Sequence, residues 1–420
     1  MTLLLIHDKD HDLVSRGPGQ ASDGVCVGRG GGLAIYLSHL VAGLRERGHR
    51  VVVVSLTRDP SGPAEVETDA YRVRSFRFRF DREIVSEFDA ILDREKPDVV
   101  HVHSIPTLHP RLLERLERRA PVVWSFHDVW PVCFRGTKLH PDGRLCTSPL
   151  GYRCVTGACH RPGSIDGLVA DAAHVLAHPR YLRMYRRTTV VVPSGYLRDV
   201  LVGNGFDGRR VRVVPLFSRF AGCAAPAPEP APGLIPTVLF VGRLSSEKGS
   251  ECLIEALARL KDEAWGAAVV GDGPLRDPLP LRAQRMGLGD RIRFAGEAGK
   301  PELEKHYRGC SLVVMPSLVP ESFGMVGVEA MAFAKPVVAF DAGGVTEWLV
   351  DGVNGFVVRH GDVPELADRI RRLVVDPATR ARFGADGHRM QQDNFTLDRH
   401  LDRIEPVYDD LIEAHAGVVG

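Results

Sequence analysis

Pro316-Ser317-Leu318-Val319-Pro320-Glu321-Ser322-Phe323-Gly324-Met325-Val326-Gly327-Val328-Glu329-Ala330 is the stretch around which the rest of the sequence arranges itself. The apolar run 312–315 before it ends at a proline, which reads as a buried strand leaving its sheet into a loop. Glu321 sits in that loop. A helix is expected to open near 322–324, with Ser322 as its cap, because a hydroxyl accepts from a free N–H of the first turn. A helix start at Gly324, Met325 and Val326 offers free N–H groups and the positive end of the macrodipole, which suit a phosphate or diphosphate. Eight helical positions rise about 12 Å, so Glu321 and Glu329 should stand well apart. One carboxylate then serves a hydroxyl-rich group before the phosphates and the other a group beyond them.

The flanking residues continue the pattern. Downstream come Lys335-Pro336-Val337-Val338-Ala339, Gly343-Gly344-Val345-Thr346-Glu347 and Asp351-Gly352-Val353-Asn354-Gly355; upstream lies Val241-Gly242-Arg243-Leu244-Ser245-Ser246-Glu247-Lys248-Gly249. Two glutamates separated by seven residues inside P-S-x-x-P-E-S-F-G-x-x-x-x-E-A-M-A resemble the retaining glycosyltransferases of family 4. The resemblance is dense over 237–360 and thinner before it. It implies the GT-B fold, two Rossmann-like doubly wound parallel-sheet domains facing a cleft. It also implies a nucleoside diphosphate sugar as donor. Glu321 would hold hydroxyls of the transferred sugar and Glu329 the ribose, while Arg243 and Lys248 neutralise the leaving diphosphate, so that no metal is required for the chemistry.

Bulk properties agree with two α/β domains. The chain has 420 residues, long for one core. Its 54 basic and 53 acidic residues leave a net charge of +1, which gives no electrostatic footprint for nucleic acid. The apolar N-terminal run is too short for a signal peptide or membrane span, and no later stretch reaches span length without charges. A cytoplasmic protein with reduced cysteines is therefore expected.

In the first half, 3–6 reads as a strand. A Gly-, Asp- and His-rich loop follows and ends in Gly28-Arg29-Gly30-Gly31-Gly32. Leu33, Tyr36, Leu37, Leu40, Val41 and Leu44 then recur at helical spacing, and Gly48 closes that helix before a strand at 51–56. The N–H groups of Gly31 and Gly32 can approach an anion because no side chain blocks the backbone, and the resemblance puts this loop near the donor phosphate and the acceptor. Alternation over 72–80 predicts a half-buried strand with a basic face, read as a solvated edge in preference to a membrane contact. Strands at 98–103 and 122–126 end in His103 and in His127-Asp128, where a parallel sheet opens its crevice. The resemblance gives His127 a contact with the donor sugar. His103 reads equally as a structural residue and as an acceptor contact. The basic, aromatic segment 180–187 looks helical, with a solvated face preferred over contact with a membrane surface. Ser194 is placed to cap the helix carrying Leu197, Val200 and Leu201.

Cys133, Cys146, Cys154 and Cys159, four of the chain's eight cysteines, fall in one Gly- and Pro-punctuated insert, with His140 and His160 nearby. Structural zinc on four thiolates, disulfides and unpaired thiols are the readings. Cys26, Cys223, Cys252 and Cys310 are scattered and read as packed residues.

The Pro/Ala stretch 221–236 reads as a stiff linker. It separates an acceptor-binding domain, 1–220, from a nucleotide-sugar domain, 237–395. In the second domain strands are expected near 237–241, 267–270, 292–295, 312–315, 337–340 and 356–358. The resemblance sets the nucleobase against the turn at Glu297, and implies that the last helix, 396–420, returns to the first domain. The function expected is transfer of a hexose or N-acetylhexosamine from a nucleoside diphosphate sugar, with UDP the preferred nucleotide. The acceptor stays open among a small metabolite, a lipid carrier and a polysaccharide, as does the oligomeric state. Rival readings are a sugar-nucleotide epimerase on a similar fold and a non-catalytic metal- or redox-responsive binding protein. A dinucleotide oxidoreductase fits less well, because no acidic ribose partner follows the first turn.

Overall fold

Leu3-Leu4-Leu5-Ile6, Val51-Val52-Val53-Val54 and Val99-Val100-His101-Val102 are buried at every position, as strands must be when a parallel sheet carries layers on both faces. The computed structural model describes residues 1–7, 31–57, 65–67, 69–74, 82–103, 110–140, 142–157, 159, 165–220 and 235–419. The loop glycines 28–30, positions 75–80 of the basic strand, Cys26, Cys223, His160 and residues 221–234 of the Pro/Ala stretch lie outside these.

The described chain divides into two compact units, 1–215 with 397–420, and 216–396. The division at Leu216 comes ahead of the Pro/Ala stretch. The first unit contains β1 (Thr2–His7), α1 (Gly31–Glu46), β2 (Arg50–Thr57), β3 (Glu65–Glu67), β4 (Ala70–Arg74), α2 (Arg82–Glu95), β5 (Val99–His103), α3 (Pro110–Glu117), β6 (Val122–Ser125), α4 (Tyr152–Thr156), α5 (Ile165–Tyr185), β7 (Thr189–Val192), α6 (Gly195–Gly203) and β8 (Val211–Val213). Its strand order is β3-β4-β2-β1-β5-β6-β7-β8, parallel except for β3. Ser194 caps α6 as its spacing predicted, accepting from the Leu197 N–H at 3.1 Å.

The second unit contains β9 (Thr237–Val241), α7 (Ser250–Ala258), β10 (Gly266–Val270), α8 (Pro278–Arg285), β11 (Ile292–Gly296), α9 (Lys300–Gly309), β12 (Leu312–Met315), α10 (Met325–Ala332), β13 (Val337–Phe340), β14 (Gly355–Val358), α11 (Val363–Val375) and α12 (Pro377–Asn394). The order β11-β10-β9-β12-β13-β14 is parallel throughout. These are the expected doubly wound sheets. In each the order reverses beside the first strand, between β1 and β5 and between β9 and β12. Ligands of such sheets bind outside the carboxyl ends of the strands at that reversal.

The last helix, α13 (Leu397–Val419), belongs to the first unit. Its Tyr408 hydroxyl lies 2.8 Å from His101 Nδ1, and Arg47, in the turn just after α1, reaches Glu405 and Asp402, each at 2.9 Å. Between these polar contacts Leu401 and Ile404 are fully buried. Among the described residues no helix is long and apolar enough to cross a membrane. Ile404→Ala should cost about 2–5 kcal/mol, read as an earlier urea transition of the first unit while the second keeps its own midpoint.

Candidate functional site

The loops leaving β9 and β12 meet where the second sheet reverses. Leu318 N–H donates to Glu247 O at 2.8 Å, which lays the 316–320 loop against the residue before Lys248. Glu321 N–H donates to Ala342 O at 3.0 Å and Glu321 O accepts from Gly344 N–H at 2.7 Å, tying the same loop to the end of β13. Gly249 permits the closest approach. Its φ is +67°, and a Cβ there would lie 1.7 Å from Pro316 O, so a side chain is excluded twice over. In this frame Lys248 Nζ donates to Glu321 Oε1 at 2.6 Å. Burial alone would raise the Glu321 carboxyl; the Lys248 charge and hydrogen bond outweigh it and hold the group below its ordinary value.

The helix beside this pair starts later than expected, and its cap differs. Gly324, not Ser322, occupies the cap position, in the left-handed region at φ +85°, and no side chain caps α10. A glycine adopts that conformation without strain, and the first-turn N–H groups of Met325 and Val326 are left uncovered by any cap side chain. Trp348 holds the start in place: its indole N–H donates to Phe323 O at 2.6 Å, and its ring fills the space where a Cβ on Gly327 would sit.

Glu329 has a separate environment within α10. Arg219 Nε stands 2.9 Å from Oε1, and the Tyr307 hydroxyl donates to Oε2 at 2.9 Å. Burial lifts this carboxyl above its usual value, although Arg219 and Tyr307 pull the other way. The two glutamates of the motif are thus held by different partners. Arg219 and Tyr307 escaped the sequence reading, because neither lies in a motif and they stand 110 and 22 residues from Glu329.

In the first unit, histidines gather at the carboxyl ends of the central strands. His103 Nδ1 lies 3.3 Å from His127 Nε2, and the Tyr36 ring packs 5.0 Å from the His127 ring. Burial, then the neighbouring histidines, keep His103 and His101 well below the usual imidazole value. His400 is held at about 4 by burial. It is therefore neutral at pH 7, donating from Nδ1 to Pro215 O at 2.7 Å and accepting from the Tyr36 hydroxyl at Nε2.

Two family models match this chain: glycosyl transferases group 1 over residues 227–390, and glycosyltransferase family 4 over 30–217. The D-inositol 3-phosphate glycosyltransferase 1 of Catenulispora acidiphila is 36% identical over 418 residues, covering 93% of each chain. The chain belongs to glycosyltransferase family 4. The alpha-D-kanosaminyltransferase of Streptomyces kanamyceticus is 34% identical over 178 residues, a match spanning 42% of this chain and 46% of that protein. Among solved structures, Anabaena HepE in complex with UDP-glucose superposes with a TM-score of 0.63 at 20% identity, covering 98% of this chain and all of that one. The fold is GT-B.

In this glycosyltransferase the motif residues fall at the strand ends of each sheet. Lys248 and Glu321 are in contact. Arg243 is exposed on the loop after β9, and among the described residues no ion pair engages it. Glu297 is exposed just past β11. Gly31 and Gly32 form the first turn of α1 rather than a loop. His127 is half-buried two residues beyond β6, and Asp128 Oδ1 accepts from Trp130 N–H at 2.9 Å, fixing the turn that follows. Cys133, Cys146, Cys154 and Cys159 are free thiols, each partly buried. Among the described residues no group of three or more His, Cys, Asp or Glu side chains is disposed to hold a metal ion as it stands.

A Lys248→Met change leaves Glu321 buried beside no cation. The loss should be about 1–3 kcal/mol at pH 7, below that of a sealed pair because the Lys248 side chain is 35% exposed. Glu321 titrates below its unfolded value of 4.5, so the pair's contribution is complete above that pH and fades as the pH falls through the folded value. Denaturant melts of the two proteins should therefore converge in acid; a difference that grows below pH 4.5 would contradict the assignment.

Proposed function

We propose that this family 4 enzyme is a retaining glycosyltransferase that takes a hexose or N-acetylhexosamine from a UDP-linked donor. The Lys248–Glu321 contact at the reversal of the second sheet, beside the uncapped start of α10, is the observation that carries the reading. A diphosphate placed there would meet the Lys248 ammonium and the N–H groups of Met325 and Val326. Arg243 would supply a planar fork that binds phosphate oxygens in pairs. Glu321, ionised by its lysine, would accept hydroxyls of the sugar. Glu329 would receive the ribose by sharing its carboxylate with Arg219 and Tyr307. HepE, bound to UDP-glucose in its structure, supports UDP over other nucleotides.

In the transfer, the bond from the anomeric carbon to the diphosphate oxygen breaks and an acceptor hydroxyl oxygen bonds to that carbon on the same face. The acceptor's proton passes to the departing phosphate oxygen. Charge grows on the leaving diphosphate, and Lys248 and the α10 N–H groups, already held in place, stabilise that growth together with Arg243 once it closes on the phosphates. The route needs no enzyme nucleophile and no metal.

The test is nucleotide release across UDP-, GDP- and ADP-sugars, with and without candidate hydroxylated acceptors, and assignment of the product's anomeric configuration by NMR. Acceptor-dependent UDP release with the donor's configuration retained is expected. Inversion, or conversion of the donor with no acceptor present, would overturn the reading; the second result would favour the epimerase. Glu321→Ala should lower turnover about 10²–10³-fold with unchanged circular dichroism. His127→Ala, tested in parallel, decides whether the role the resemblance gives this residue holds.

A further inference from the structure

The segment from Cys133 to Cys159 has almost no core. Of its described residues only Phe134 and Lys138 are buried, yet it holds a defined course. Gly136 N–H donates to Cys133 O at 2.8 Å, Leu139 and Leu145 pair as an antiparallel bridge, and Cys146 N–H donates to Lys138 O at 2.8 Å. Hydrogen bonds of this kind are each worth about 1 kcal/mol net, too little to order so long a segment against its chain entropy.

The Cys159 thiol lies within electrostatic reach of Cys154, Cys146 and Cys133. Cys146 Sγ lies 3.9 Å from Ser148 O and Cys154 Sγ 4.0 Å from Pro149 O, so two sulfurs address neighbouring carbonyls of one turn. Cys159 is tied to the other limb: Arg135 Nη1 donates to its carbonyl at 3.1 Å, and its Sγ lies 3.6 Å from His140 Nδ1. Cys133 packs at the margin of the first unit's core.

Charge supplies an independent pointer. Lys138 is 3% exposed, and among the described residues no carboxylate pairs with it. Its ammonium donates at 2.6 Å to Ser148 O, the oxygen that Cys146 Sγ also faces. A buried ammonium without a counter-charge is costly. A divalent cation held by four thiolates carries two net negative charges, which Lys138 and Arg135 would match.

We propose that Cys133, Cys146, Cys154 and Cys159 bind one zinc ion, which closes the 133–159 segment as a structural centre. Binding displaces a proton from each thiol and frees Cys146 and Cys154 from the carbonyls they face, so the sulfurs converge as the ion enters. No open coordination position remains for catalysis. His140 lies beside Cys159 and is not a ligand.

Elemental analysis of the purified full chain, and titration of chelator-stripped chain with ZnCl2, test this without any substitution. About one zinc per chain, released when the thiols are blocked, is expected. Less than about a tenth of that after ZnCl2 addition, or a mass showing disulfides among the four, would overturn the proposal. Cys146→Ser and Cys154→Ser should each lose the ion. Lys138→Met should bind it about tenfold more weakly, and His140→Ala as tightly as the parent. Zinc kept by Cys146→Ser and lost by His140→Ala would refute the four-sulfur assignment. These readouts stand whether or not the donor proves to be a UDP-sugar.

Discussion

A lysine ammonium held against a buried carboxylate, at the place where a parallel sheet reverses its strand order, is the constraint on which the second unit depends. The carboxylate charge would be disfavoured there alone: burial pushes Glu321 toward its neutral form, and Lys248 reverses that. The backbone around the pair is built to allow the contact. Gly249 lets one loop touch the Pro316 carbonyl, Glu247 and Ala342 fasten the other, and Trp348 fixes the helix that follows. The result is a carboxylate kept charged in a mostly enclosed position, with uncapped helix N–H groups close by in sequence. A pre-ionised acceptor beside oriented donors is an arrangement suited to carbohydrate hydroxyls linked to phosphate.

Much of this was readable in the residues because parallel sheets leave a plain signature. The apolar runs at 312–315 and 337–340 match β12 and β13 in full, since strands buried on both faces must be apolar throughout. Gly48, at φ +87°, closes α1 where its type and position suggested. The capping of α10 was misread for a physical reason. Ser322 is a good cap by type, yet the backbone turns into the helix only after a left-handed step that glycine takes most easily, so the cap moved to Gly324. Arg219 and Tyr307 around Glu329 left no local trace, because side chains that meet through tertiary packing have no periodicity or spacing to betray them.

The first unit differs in character. Where the second concentrates charge, the first surrounds its strand ends with imidazoles and phenols: His101 against Ser125 and Tyr408, His103 against His127, His400 against Tyr36. Burial keeps His101, His103 and His400 uncharged at neutral pH, so these buried rings hold the strand ends together by directional hydrogen bonds and not by ion pairs.

The return of α13 to the first unit has a bearing on how the chain is made. A ribosome emits the segment 216–396 as one uninterrupted block between the two parts of the first unit. The first unit, though begun earlier, lacks Tyr408, His400 and Glu405, which meet His101, Tyr36 and Arg47, until residues 400–408 appear. Those contacts form only after the second unit has been synthesised, so the first unit is completed last, the reverse of the usual order in which the domain made first is finished first.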